Sequence, residues 1–94
     1  MSPQELADKV GENIGTSEWV DMSQERINQF ADATGDHQFI HIDEEKAKMT
    51  PFGGTIAHGF LTLSMIPYLG ANSDMPKLDG VKMGVYYGGN KTRF

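Results

Sequence analysis

Residues 55–69 read TIAHGFLTLSMIPYL, and this stretch decides the fold. Drawn as a helix, it places Ile56, Phe60, Leu61, Leu63, Met65, Ile66 and Leu69 so that no wide polar face remains. A helix that is apolar all round belongs inside a structure rather than on its surface. Pro67 has no N–H to donate and its ring crowds the preceding turn, so it should end or kink the helix. A single buried helix needs other chain wrapped around it.

On the C-terminal side, Gly70, Asn72, Pro76 and Gly80 mark a loop. Residues 81–87 alternate loosely and predict a strand, interrupted at Gly84. Gly88 and Gly89 suggest a bulge or a close backbone approach, and residues 91–94 resume an extended pattern. On the N-terminal side, Pro51, Gly53 and Gly54 mark a loop, and residues 44–48 a charged helical turn. Residues 36–43 (DHQFIHID) predict a polar turn leading into a short extended piece. Before them, Ser23 is a good N-cap for a helix over 24–33. Its Ile27, Phe30 and Ala31 keep the i, i+3, i+4 spacing of one buried stripe, and Gly35 ends it. Residues 17–22 predict a weaker strand, and residues 3–10 a short helix with Ser2 as N-cap and Pro3 at its first position. One clear strand and one weak strand cannot enclose the 55–69 helix. The chain is therefore expected either to pair with another or to fall short of a whole domain.

Ninety-four residues argue for one domain, spanning 1–94, whose core is marginal without a partner. There is no cysteine, which excludes disulfides and thiolate metal sites. The net charge of −5 disfavours nucleic acid, because binding its backbone needs clustered Lys and Arg. No run of about 18 apolar residues is present, so no membrane partner is expected. Residues 1–10 carry Glu5, Asp8 and Lys9 and do not resemble a signal peptide, so the expected location is cytoplasmic.

Asp36, His41 and Asp43 fall within eight residues. A carboxylate and an imidazole converging on one point can hold a water and pass its proton, because His titrates near neutrality and Asp can orient or accept. Equally, Asp36 can cap the turn after Gly35, with His37 and His41 as ordinary loop histidines. A third reading places His37, His41 and Asp43 on one side of an extended strand as a two-histidine, one-carboxylate metal site. His58 and Gly59 stand near the start of the apolar helix, where the first N–H groups lack internal partners and the dipole favours negative charge. Gly59 lets a ligand oxygen approach its N–H, as in an oxyanion hole; it equally permits close packing of the helix. Trp19, Phe30, Phe39, Phe52, Phe60, Met65 and Tyr68 are most simply core or interface residues. Tyr86 and Tyr87 belong to the core, an apolar pocket or a dimer surface.

Two linked runs carry a resemblance to a known family. Residues 33–43 (ATGDHQFIHID), followed by residues 51–59 (PFGGTIAHG), are similar to the hydratase signature of MaoC-like proteins, in the branch of nodulation protein N-like and mycobacterial hydratases. Residues 85–94 (VYYGGNKTRF) resemble that branch's next strand. The resemblance extends over nearly all of residues 18–94. It implies an α+β hotdog fold, an antiparallel sheet wrapped around a central buried helix at about 55–69, with later strands missing so that the sheet is incomplete. It also implies an enzyme, an (R)-specific enoyl-CoA hydratase, that reversibly adds water to a trans-2-enoyl-CoA to give an (R)-3-hydroxyacyl-CoA.

In that resemblance the catalytic pair falls on Asp36 and His41, and the glycine contacting the thioester carbonyl on Gly59, with His58 beside it at the substrate. The family's usual Asn-Pro after the catalytic Asp is replaced by Gln38-Phe39. No cofactor and no metal are implied. The implied partners are an acyl-CoA thioester and a second copy in a homodimer. The late basic residues Lys77, Lys82, Lys91 and Arg93 suit an anionic thioester, or are simply solvated. Two alternatives share the same residues: a non-catalytic acyl-CoA-binding or dimerisation module, and an acyl-CoA thioesterase.

Overall fold

Ser23 and Gly35 bracket the longest element. The Ser23 hydroxyl accepts from the Arg26 N–H, and Gly35 closes the helix in the left-handed region at φ 80°, donating its N–H to the Ala31 carbonyl. Only glycine adopts that conformation without strain, which suits it to this stop. The computed structural model describes residues 1–94 and contains six helices: α1 (Pro3–Ala7), α2 (Gln24–Thr34), α3 (Phe39–Ile42), α4 (Glu44–Ala47), α5 (Gly59–Ser64) and α6 (Ile66–Ala71). Helix α1 begins with a full capping box between Ser2 and Glu5, with Pro3 inside its first turn. Asp43 ends α3 and caps α4, its side chain accepting from the Lys46 N–H.

The core is small and lies around α2, α3 and α4, with His58 at the start of α5 packed against it. Ile27 and Ala31 from α2, Ala47 from α4 and Leu61 from α5 are its buried apolar side chains. His41 and His58 are buried with them. The stripe expected along α2 is thus present, with Phe30 half-buried against the His58 ring.

Three expectations require correction. The antiparallel sheet is not formed: residues 17–22 contribute only an isolated antiparallel bridge between Ser17 and Ser73, and residues 81–87 contribute no strand. Residues 81–94 make no backbone hydrogen bond to any other part of the chain. A strand satisfies its N–H and C=O groups only by pairing, and these two segments do not meet.

The 55–69 helix is shorter at its start and broken in the middle. Residues 55–57 are not helical, helix begins at Gly59, and Pro67 stands in the first turn of α6 rather than interrupting a longer rod. It is also not enclosed. Leu61 is buried, but Phe60, Ile66 and Tyr68 are exposed, because no sheet covers them. Finally, residues 39–42 form a single helical turn rather than an extended piece.

The shape follows. The radius of gyration is 17.2 Å, against about 12 Å for a compact domain of this length. The accessible surface is 7824 Å², against roughly 5,400 Å² for a folded monomer of this mass. No helix is long and apolar enough to cross a membrane.

Candidate active site

Three segments deliver the site. Gly35 turns the chain sharply out of α2, so that Asp36 follows at once. The single turn α3 carries His41. The irregular run before α5 carries Thr55, Ile56 and, as the residue before its first turn, His58. The run and α3 are tied by a backbone bond from the Ile56 N–H to the Ile40 carbonyl at 2.9 Å.

The two imidazoles lie face to face, ring centroids 3.8 Å apart and planes 22° apart. Each is held by a backbone carbonyl. His41 Nδ1 is 2.8 Å from the Ile56 oxygen, and His58 Nε2 is 3.0 Å from the Asp36 oxygen. A carbonyl only accepts, so each of those nitrogens carries its proton. In the neutral rings this leaves the lone pair of His41 on Nε2 and that of His58 on Nδ1. His58 Nδ1 is buried without a partner.

Asp36, His41 and His58 each offer an oxygen or nitrogen within 4.8 Å of the others. The Asp36 carboxylate lies 3.9 Å from His58 Nε2, and its side chain is 45% exposed while that of His58 is 3% exposed. The carboxylate therefore stands at the mouth of the site with the rings behind it. Two hydrogen bonds of about 2.8 Å meeting at one water span roughly 4.5 Å, so a group of this width accommodates a bridging water. The same three residues have the donor types of a metal site. Stacked rings, however, send their in-plane lone pairs side by side rather than toward one centre, which disfavours a shared ion.

The alternative set His37, His41 and Asp43 is not brought together. Residues 39–42 are helical, so alternation no longer puts their side chains on one face. His37 pairs with Asp32 at 3.0 Å, and Asp43 caps α4.

Gly59 opens α5, and the N–H groups of Gly59, Phe60 and Leu61 have no backbone partner, as at any helix start. A Cβ placed on Gly59 would lie 2.5 Å from the Phe94 ring, so the glycine admits that ring to the helix start. Phe94 also meets Phe60 edge-on, centroids 6.2 Å apart. Beside the site, Phe30 lies 4.9 Å from the His58 ring. There it begins an open groove of about 320 Å³ lined by Phe30, Leu61, Met65, Tyr68, Gln29 and Arg26.

His58, which the resemblance puts at the substrate, has its ring stacked in the core and its Nε2–H on the Asp36 backbone. Gln24 and Thr55, which no motif in the sequence marks, are bonded to each other and, through Gln24, to His41. Both are ordinary polar residues at a helix start and a loop, and nothing in their spacing marks them.

Comparison with known proteins assigns the scaffold. Residues 5–94 match the MaoC like domain. The chain is 53% identical over 93 residues to 3-hydroxyacyl-thioester dehydratase Z of Mycobacterium tuberculosis, covering 99% of this chain and 60% of that protein. It is 47% identical over 95 residues to nodulation protein N of Rhizobium leguminosarum bv. viciae, covering 100% of this chain and 58% of that protein. A 46-residue stretch is 44% identical to 3-hydroxybutyryl-CoA dehydratase of Methylorubrum extorquens, covering 49% of this chain and 29% of that protein. The chain spans about 60% of the length of the first of these relatives. With the match running over nearly its whole length, the chain belongs to the MaoC-like domain family.

Proposed function

We propose that this chain carries the water-handling site of an (R)-specific enoyl-CoA hydratase, with Asp36 and His41 as its catalytic pair. The observation that supports it is the approach of an Asp36 carboxylate oxygen and a His41 ring nitrogen to within 4.8 Å of each other. One water held between them finds two acceptors, the carboxylate and the Nε2 lone pair of His41. Its oxygen adds to C3 of a trans-2-enoyl thioester while one of the pair takes a proton. The electron pair moves through C2 onto the thioester oxygen. The proton then returns to C2, giving the 3-hydroxyacyl thioester, so that one water is added in all. Run backwards, the same steps are the dehydration named in two of the relatives.

Charge building on the thioester oxygen would be met by the unpartnered N–H of Gly59. One such donor typically contributes about 10²–10³ in rate. His58 acts on the pair from behind, its Nε2–H holding the Asp36 backbone. The groove that starts at Phe30 suits an acyl chain. The exposed apolar side chains Phe60, Ile66, Val81 and Val85 suit burial against a second copy in a homodimer.

The test is the loss of enoyl-thioester absorbance with crotonyl-CoA, comparing the wild type with Asp36→Asn and His41→Gln. Each substitution should lower the rate by about 10²–10⁴. Equal rates in all three proteins would remove the assigned roles. Release of free CoA thiol would instead identify a thioesterase. A second reading, a non-catalytic acyl-thioester-binding module, is favoured by one observation: the α5–α6 face is left uncovered. It requires binding by calorimetry with no turnover and no effect of Asp36→Asn.

A further inference from the structure

Gln24 is the first residue of α2, and both N–H groups and the oxygen of its amide are hydrogen-bonded. Its Nε2 donates to the His41 carbonyl at 2.7 Å and to Asn28 Oδ1 at 2.9 Å. Its Oε1 accepts from the Thr55 hydroxyl at 2.7 Å. The amide cannot be turned over, because Oε1 would then face the His41 carbonyl, oxygen against oxygen.

These bonds close a ring. Gln24 holds the His41 carbonyl, the His41 ring donates to the Ile56 carbonyl, Ile56 follows Thr55 in the chain, and Thr55 returns to Gln24. The ring joins three segments that are distant in sequence. His41 is gripped at its backbone from one side and at its imidazole from the other. The register between α3 and the 55–58 run is what puts the Ile56 oxygen opposite Nδ1, and Gln24 bridges those same two segments.

We propose that Gln24 is a positioning residue that fixes the tautomer and orientation of His41, with Thr55 as its anchor. The proposal rests on the hydratase reading for its consequence in catalysis, and its structural content can be measured without turnover. Loosening the ring lets His41 leave the Ile56 carbonyl, so that Nε2 takes the proton and no longer offers a lone pair to water.

The experiment is two-bond ¹H–¹⁵N correlation NMR on the ¹⁵N-histidine-labelled chain, with His41→Gln assigning the His41 signals. The wild type should show His41 with Nδ1 protonated and Nε2 bare. Gln24→Glu keeps the length and the acceptor for Thr55 but sets an oxygen against the His41 carbonyl. A negative charge in the first turn favours the helix dipole, so α2 itself is retained, which circular dichroism checks. Gln24→Glu and Thr55→Val should both move His41 toward the Nε2-protonated form. Asn28→Ala, which removes the exposed bond to the same amide, should not.

If the wild type hydrates crotonyl-CoA, Gln24→Glu should lower kcat by about a hundredfold with KM little changed, as expected when a reacting group is misplaced by about 1 Å. An unchanged His41 pattern in Gln24→Glu, or an equal change in Asn28→Ala, overturns the proposal. A wild type without turnover but with the expected tautomer response counts against the hydratase reading and upholds the role of Gln24.

Discussion

His58 and Asp36 are joined through backbone rather than through charge. The His58 Nε2–H donates to the Asp36 carbonyl at 3.0 Å, while the carboxylate of the same residue stands off at 3.9 Å. The imidazole thus fixes where the Asp36 backbone lies, while Oδ1 of the carboxylate accepts from the Gln38 N–H at 3.3 Å, as in a turn cap, and the half-exposed carboxylate stands at the mouth of the site. Stacking on His41 fixes the ring in turn.

Exchanging His58 for Phe separates these two contributions. The phenyl ring keeps the stack and the burial and removes the unpartnered Nδ1. It also leaves the Asp36 carbonyl without its donor. The gain and the loss are each on the order of 1–3 kcal/mol, so stability measured by urea melts should change by less than about 1 kcal/mol. Hydration should fall by at least about tenfold, because the carboxylate is no longer positioned. A stable His58→Phe protein with unaltered activity would contradict the positioning role.

Gly59→Ala discriminates between a binding and a packing role for the glycine. The added Cβ meets the ring of Phe94, an exposed side chain that can swing aside. In a helix alanine is favoured over glycine by about 1 kcal/mol. The melting transition should therefore hold or rise slightly. Hydration should nevertheless fall, because the methyl group obstructs approach to the Gly59 N–H. Unchanged turnover with unchanged stability would leave Gly59 as a packing residue only.

Gly35 sets the direction in which Asp36 leaves α2. At φ 80° an L side chain is strained, and nothing lies within 4 Å of a Cβ placed there. The cost of Gly35→Ala is therefore one of backbone, about 1–2 kcal/mol. Gly35→Asn should cost less, since Asn tolerates the left-handed region. Chemical denaturation of both variants checks the order Gly, Asn, Ala; an Ala variant as stable as the wild type would show that the turn is not set here.

The start of α1 should respond to acid. Hydrogen bonds from Ser2, its side chain foremost and then its backbone, hold the Glu5 carboxyl below its ordinary value. A group whose folded value is depressed stabilises the fold above its unfolded value, and that contribution is lost as pH falls through the folded value. Amide exchange of residues 5–7 should quicken as pH drops through and below the usual carboxylate range, once intrinsic exchange rates are divided out. Ser2→Ala removes the hydroxyl and keeps the backbone N–H, so it should weaken that dependence, and Glu5→Gln should abolish it. A dependence that persists in Glu5→Gln would place its origin elsewhere.

Helix α2 was legible from end to end in the sequence, because its signals are local: a serine that caps, a three-and-four spacing and a glycine that stops. The short spacing of Asp36 and His41 leaves a water-handling pair, a turn cap and a metal set all open, and only the resemblance singles out the pair. Pro67 marks a helix boundary in the chain, since a missing N–H is a property of one residue, and the structure sets the break at Met65 with Pro67 in the first turn of α6.

Tertiary structure alone decided the rest. That His58 faces the Asp36 backbone and that Gln24 closes a ring through Thr55 and His41 both depend on segments far apart in sequence meeting at hydrogen-bond distance. The fate of the apolar 55–69 stretch was decided in the same way. Its composition asks for burial, but burial requires a paired sheet, and a strand's hydrogen bonds are made with whatever chain lies beside it and not with itself.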